Sequence, residues 1–126
     1  LTNRRQRQMC IRDRYNQGVT ATGQMIFVSG QIAIEVETSE IVGTNDVSKQ
    51  TEQVMANLKA ILTEAAANFS NVVKTTIYLK NMEDFTTVND VYAKYFNPEN
   101  APARACVEVA RLPKDVLVEI DCIAVV

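Results

Sequence analysis

Histidine does not occur among the 126 residues. That one absence excludes Ser-His-Asp and Cys-His nucleophile–base pairs, and most zinc chemistry with them. Cysteine is sparse. Cys10, Cys106 and Cys122 are an odd number with no metal-type spacing, so they read as reduced thiols in a cytoplasmic setting. No apolar run approaches the ~20 residues that cross a bilayer. The first residues are polar and arginine-rich, without the apolar centre or small-residue cleavage site of a secretory signal. A cytoplasmic protein with no membrane association is the expectation. The four glycines form neither a Walker A motif nor G-x-G-x-x-G, so no phosphate cradle is legible. No metal cluster is legible either.

What is present suits one domain with a real core: 47% apolar residues in 14.0 kDa. Charge is uneven. Residues 1–14 hold five arginines against Asp13, while the rest holds eight basic and 14 acidic residues. A basic arm on an acidic body is one pattern of nucleic-acid or membrane binding. This arm has no aromatic residue for base stacking and no helical apolar stripe. The expectation is therefore a disordered, non-conforming extension over residues 1–13 and a folded domain over residues 14–126, with no nucleic-acid partner.

Along the domain, Tyr15–Val19 reads as a short strand and Thr20–Gln24 as a turn. Met25–Ile32 follows as the second strand of a hairpin, with Gly30 marking a bulge or a close backbone approach. A third short strand is expected near Glu40-Ile41-Val42, closed by Gly43. Asp46 is placed to cap a helix whose apolar stripe is Val47, Val54, Leu58, Ile61, Leu62 and Ala65, with Asn68 as its breaker. Val72–Leu79 is the clearest strand. A second helix starts at Asp84 or Thr86, presents Val88, Val91, Tyr92, Tyr95 and Phe96 on one side, and stops at Asn97-Pro98. Strands over Arg104–Val109 and Val116–Val125 complete an α+β order: a two-layer mixed β-sheet with two helices on one face. Val118, Ile120, Cys122 and Ala124 share one side of the last strand. Its other side is also too apolar for open water, so a second subunit is expected to cover it.

Few residues stand out chemically. Arg104, at a strand start, is a solvated edge arginine, one paired with Glu108 or another acid, or a fork for a substrate carboxylate. Glu119 lies inside a strongly apolar strand. It is either ion-paired across the sheet or a base with a raised pKa in a poorly solvated cleft. Tyr15 is a half-buried aromatic or a hydroxyl closing a small pocket. Cys106 shares a face with Arg104 and reads as core filler. Ser29-Gly30-Gln31 offers a hydroxyl and backbone N–H groups but no nucleophile elbow.

The blocks Tyr15-x-Gln17, Phe27-Val28-Ser29-Gly30-Gln31-Ile32, Gln53-x-x-x-Asn57-Leu58, Asn71-Val72-Val73-Lys74-Thr75-Thr76, Asp84-Phe85-x-x-Val88-Asn89-x-x-Tyr92, Pro102-Ala103-Arg104, Val107-x-Val109-Ala110-x-Leu112-Pro113 and Val118-Glu119-Ile120 together resemble the reactive intermediate deaminase (RidA/YjgF) family from Tyr15 to Val126. The resemblance implies a chorismate-mutase-like fold and a homotrimer with clefts between subunits. It also implies hydrolysis of 2-imino and enamine acids, such as 2-aminoacrylate and its imine tautomer, to 2-keto acids and ammonia, with no cofactor. By the family pattern Arg104 clamps the substrate carboxylate and Glu119 activates water. Tyr15, Ser29 and Asn89 line the pocket, and the backbone at Cys106 holds the substrate nitrogen. Asp13-Arg14 stands where the family usually has Gly-Pro, and one extra residue separates Tyr15 from Ser29. Two other readings remain: RNA cleavage or translation inhibition, ascribed to some members, and a trimeric metabolite-binding or chaperone-like protein without turnover. An intact Arg104 with Glu119 favours the deaminase, because binding a carboxylate needs only the arginine.

Overall fold

The run Val72–Leu79 forms an inner strand of the sheet, hydrogen-bonded on both sides. The computed structural model describes residues 9–10 and 15–126. In chain order the elements are β1 (Met9–Cys10), β2 (Tyr15–Asn16), β3 (Met25–Gln31), α1 (Val47–Glu64), β4 (Val72–Leu79), α2 (Phe85–Tyr92), β5 (Ala103–Glu108) and β6 (Val118–Val125). The described strands form one mixed sheet in the order β1-β2-β5-β4-β6-β3. β4 runs parallel to β5 and antiparallel to β6.

Period-two patterning decides which sheet face is covered. Val118, Ile120, Cys122 and Ala124 of β6 are all buried, as the alternation predicts. They share one core with Val54, Met55, Leu58 and Leu62 of α1 and Val88 and Tyr92 of α2. Each such large apolar side chain contributes roughly 1.5–3 kcal/mol by leaving water. Asp46 caps α1 as expected, accepting from the Lys49 amide at 3.1 Å. The helix also buries polar residues that tie loops to it. Gln50 donates to the Gly43 carbonyl at 3.1 Å and accepts from the Leu117 amide at 2.8 Å. Asn57 donates to the carbonyls of Ile32 and Ile34 at 3.1 and 3.0 Å.

Four expectations change. β2 and β3 are not a hairpin. β3 pairs with β6, while β2 lies across the sheet and meets β5 in parallel at Asn16 and Ala103. Local turn chemistry suggested sequential pairing, but the final strand offers β3 a longer apolar partner. The third strand near Glu40–Val42 reduces to a single bridge between Ile34 and Ile41. Asn68 does not end α1. Ala66 takes the left-handed conformation there (φ 58°), and Asn68 caps the following 3-10 turn by accepting from the Ser70 amide at 2.9 Å. Lastly, Met9–Cys10 pairs antiparallel with β2, so these two residues of the 1–13 segment join the sheet edge. The expectation for the other residues of that segment lies outside the described residues.

Gly30 behaves as its position in a strand suggests. β3 changes register between Val28 and Gln31, and Gly30 sits in that irregularity.

Candidate active site

The parallel pairing of β4 with β5 sets Arg104 beside Thr75, and the antiparallel pairing of β4 with β6 sets Glu119 beside Tyr78. Residues three apart on one strand face opposite sides of a sheet. Arg104 therefore lies on the helix-bearing face and Glu119 on the other. Within one chain the two charged candidates are not brought together.

Three of the other five candidate residues, Tyr15, Asn89 and Cys106, gather around or beside Arg104. Its guanidinium carbon lies 4.6 Å from the ring centroid of Tyr15, 5.1 Å from that of Tyr92 and 5.4 Å from that of Phe85. These distances suit cation–π attraction. Its Nη1 donates to Oδ1 of the buried Asn89 at 2.5 Å. Cys106 follows on the same face of β5. Its thiol is held up by burial, opposed by the nearby Arg104 charge, so it stays protonated at neutral pH. Among the described residues, the ladder between β2 and β5 is the single pair of Asn16 with Ala103.

Glu119 and Ser29 belong to the second group. The Glu119 carboxyl packs against Gly30, where an added Cβ would lie 2.0 Å from Oε2, so glycine there leaves the carboxyl its room. Burial, and after it the Asp121 charge, raises the Glu119 pKa above the ordinary carboxylate value. No lysine or arginine among the described residues lies within ion-pair distance of it. The cross-sheet ion pair open from sequence is thus not formed among the described residues. Tyr78 donates to Asp121 Oδ2 at 3.1 Å, and burial with this acceptor raises the tyrosine pKa. Ser29 is exposed beside Gly30, and its carbonyl accepts from Gln31 Nε2 at 3.1 Å. A cavity of about 330 Å³ adjoins this bulge, lined by Gly30, Gln31, Ile32, Asn57, Ala60 and Ile61 among others.

The family model described as Endoribonuclease L-PSP matches residues 6–126. The chain belongs to this family. It is the RidA/YjgF family that the sequence blocks resemble. A RutC family protein of Synechocystis sp. is 56% identical over 111 residues, 88% of this chain and 85% of that one. The 2-iminobutanoate/2-iminopropanoate deaminase of Escherichia coli (strain K12) is 49% identical over 113 residues, 88% of this chain and 86% of its own. Among solved structures, E. coli TdcF with bound serine superposes with a TM-score of 0.75 at 43% identity, covering 89% of this chain and 87% of that chain. The chain thus has the fold of the RidA/YjgF proteins.

Several residues at the site carried no signal as site residues in the sequence. Thr75, Phe85 and Tyr92 read as strand or core, yet they surround or support Arg104. Asn16 carries no such signal either. It is buried and donates to the Ala101 carbonyl at 2.8 Å, which ties Tyr15 to the approach of β5. Phe85, Asn89 and Tyr92 stand at i, i+4 and i+7, a helical stripe that could have been read once Arg104 was suspected.

Proposed function

We propose that the chain is a hydrolytic deaminase of reactive 2-imino and enamine acids, yielding 2-keto acids and ammonia. The observation that carries this reading is Glu119: a carboxyl on the open sheet face, raised in pKa, with no cation beside it among the described residues. A protein that only bound carboxylates would have no use for it. The name of the E. coli relative supports the same chemistry.

Arg104 and Glu119 face opposite sides of one sheet, so a common substrate requires two chains. We infer a homotrimer with clefts between subunits, each joining Arg104 of one chain to Glu119 of a neighbour. The guanidinium binds the substrate carboxylate through its planar fork. Glu119 takes a proton from water as the water oxygen bonds to the imine carbon and the C=N π pair moves to nitrogen. That proton passes to nitrogen to give a carbinolamine. Glu119 then takes the hydroxyl proton and delivers it to the amine nitrogen as an oxygen lone pair forms the carbonyl and the C–N bond breaks, so that ammonia leaves. Tyr15 and Ser29 close the pocket, and the backbone at Cys106, on the open edge of β5, holds the nitrogen. An imine already hydrolyses in water, so positioning and one base, the latter worth roughly 10²–10⁴-fold, suffice.

The test is keto-acid release from enzymatically generated 2-aminoacrylate. Arg104→Ala should be inactive alone, and Glu119→Gln alone should lose roughly 10²–10⁴-fold. Co-expressed, they should regain activity in about a quarter of the clefts, because random assembly pairs an intact arginine with an intact glutamate across some head-to-tail interfaces. Failure to complement would end the shared-cleft reading. The family description raises RNA cleavage as a second reading. The acidic body disfavours it, and RNA in the same assay series should stay intact.

A further inference from the structure

Arg104 is seated by one helix, and that helix is pinned by a hydrogen bond buried beneath it. Phe85, Asn89 and Tyr92 form the stripe of α2 that meets the guanidinium. Tyr92 is fully buried, and its hydroxyl is 2.8 Å from Thr75 Oγ1. Thr75 is itself buried and is the register partner of Arg104 on the neighbouring strand. A closed circuit results: β5 carries Arg104, β4 carries Thr75 beside it, Thr75 holds Tyr92, and Tyr92 sets how deeply α2 sits. The depth of α2 then places the Asn89 carbonyl and the Phe85 ring against the guanidinium.

We propose that Thr75 and Tyr92 are positioning residues for Arg104, which fix the direction in which its fork meets a substrate carboxylate. This rests on Arg104 being the carboxylate clamp, as proposed above. Tyr92 acts through its ring face and its anchor. Burial drives its pKa far up, so its hydroxyl stays neutral and offers Arg104 no counter-charge. A guanidinium is a directional ligand, and loss of its orientation weakens a two-bond contact even when the charge stays in place. Asn89, read from sequence as a pocket-lining residue, here spends its side-chain oxygen on Arg104 and so belongs to the same circuit.

Thr75→Val and Tyr92→Phe each delete one hydroxyl and keep the bulk of the side chain. The probe is 2-oxobutanoate, with affinity measured by calorimetry on protein shown to be folded, alongside KM and kcat for the imino acid. Each variant should weaken 2-oxobutanoate binding about three- to tenfold, the scale of one buried hydrogen bond. KM should rise more than kcat falls. The double variant should be no weaker than either single one, since both break the same bond. Thr75→Ser should restore affinity. Unchanged affinity in both folded single variants, or additive losses in the double, would overturn the proposal. So would a lower melting temperature with intact binding, which marks a purely structural pair. Arg104→Ala in the same titration separates this failure from the other: if that variant binds 2-oxobutanoate normally, the clamp assignment itself falls.

Discussion

Glu119 shows how one side chain can be constrained by a neighbour that has none. The carboxyl occupies the space a Gly30 Cβ would need. Gly30→Ala should leave the fold standing, because the clashing atoms are the mobile end of a glutamate. It should displace that carboxyl and cut turnover severalfold or more, read by keto-acid release per folded protein. Glu119→Gln tests the base directly, with an expected loss of roughly 10²–10⁴-fold in turnover. Its stability effect has a definite sign. A carboxyl whose pKa is raised by folding favours the native state fully below the ordinary carboxylate range. That contribution is lost as pH rises through the raised value. The glutamine variant does not titrate. Its melting temperature at pH 7 should equal or exceed that of the parent, and the decline above the carboxylate range should flatten. A clear drop at pH 7 would point instead to a hidden cationic partner.

At the level of elements, legibility followed from how local each signal is. α1 announces its cap and the buried part of its stripe, Val54, Leu58 and Leu62, since Asp46 and the apolar spacing act within a few residues, while Ile61 of the same stripe is exposed. Asp46→Ala should cost about 1 kcal/mol of stability, measured by denaturant unfolding with unchanged slope. The end of the same helix is less local in its signal. Asparagine tolerates the left-handed conformation well, but an alanine adopts it here and Asn68 serves the next turn. The β2–β3 pairing failed for a related reason. A turn sequence says that the chain reverses, and nothing in it says which edge the next strand will join.

For the whole molecule, the uncovered sheet face is the main feature. Phe27 is 70% exposed, paired in register with Ile123, and Val107 is 42% exposed on the same sheet. Leaving a phenylalanine in water forgoes up to ~3 kcal/mol of burial, which association recovers. Sedimentation should give a trimer at micromolar concentration. Phe27→Asp should shift it toward monomer while circular dichroism keeps its helix and strand content, and deaminase activity should fall with the trimer. A trimer that survives this change would move the interface elsewhere.

The sequence by itself determined the α+β class, the extents of β4 and α1 to within a few residues, the start of α2 (which ends at Tyr92, ahead of the Asn97-Pro98 stop, in a 3-10 turn), and the buried face of β6. Each rests on periodicity or on a cap, which are properties of neighbouring residues. It also singled out Arg104 and Glu119, because a charge in an apolar strand is conspicuous without any structure. Only the tertiary structure decided that these two lie on opposite faces of the sheet. Strand parity alone assigns sides within β5 or within β6. The relation between them passes through β4, whose pairing at Thr75 and Tyr78 no local pattern encodes. The seat of Arg104 was hidden for the same reason: Tyr15, Thr75, Phe85 and Tyr92 come from four segments, and only packing makes them neighbours.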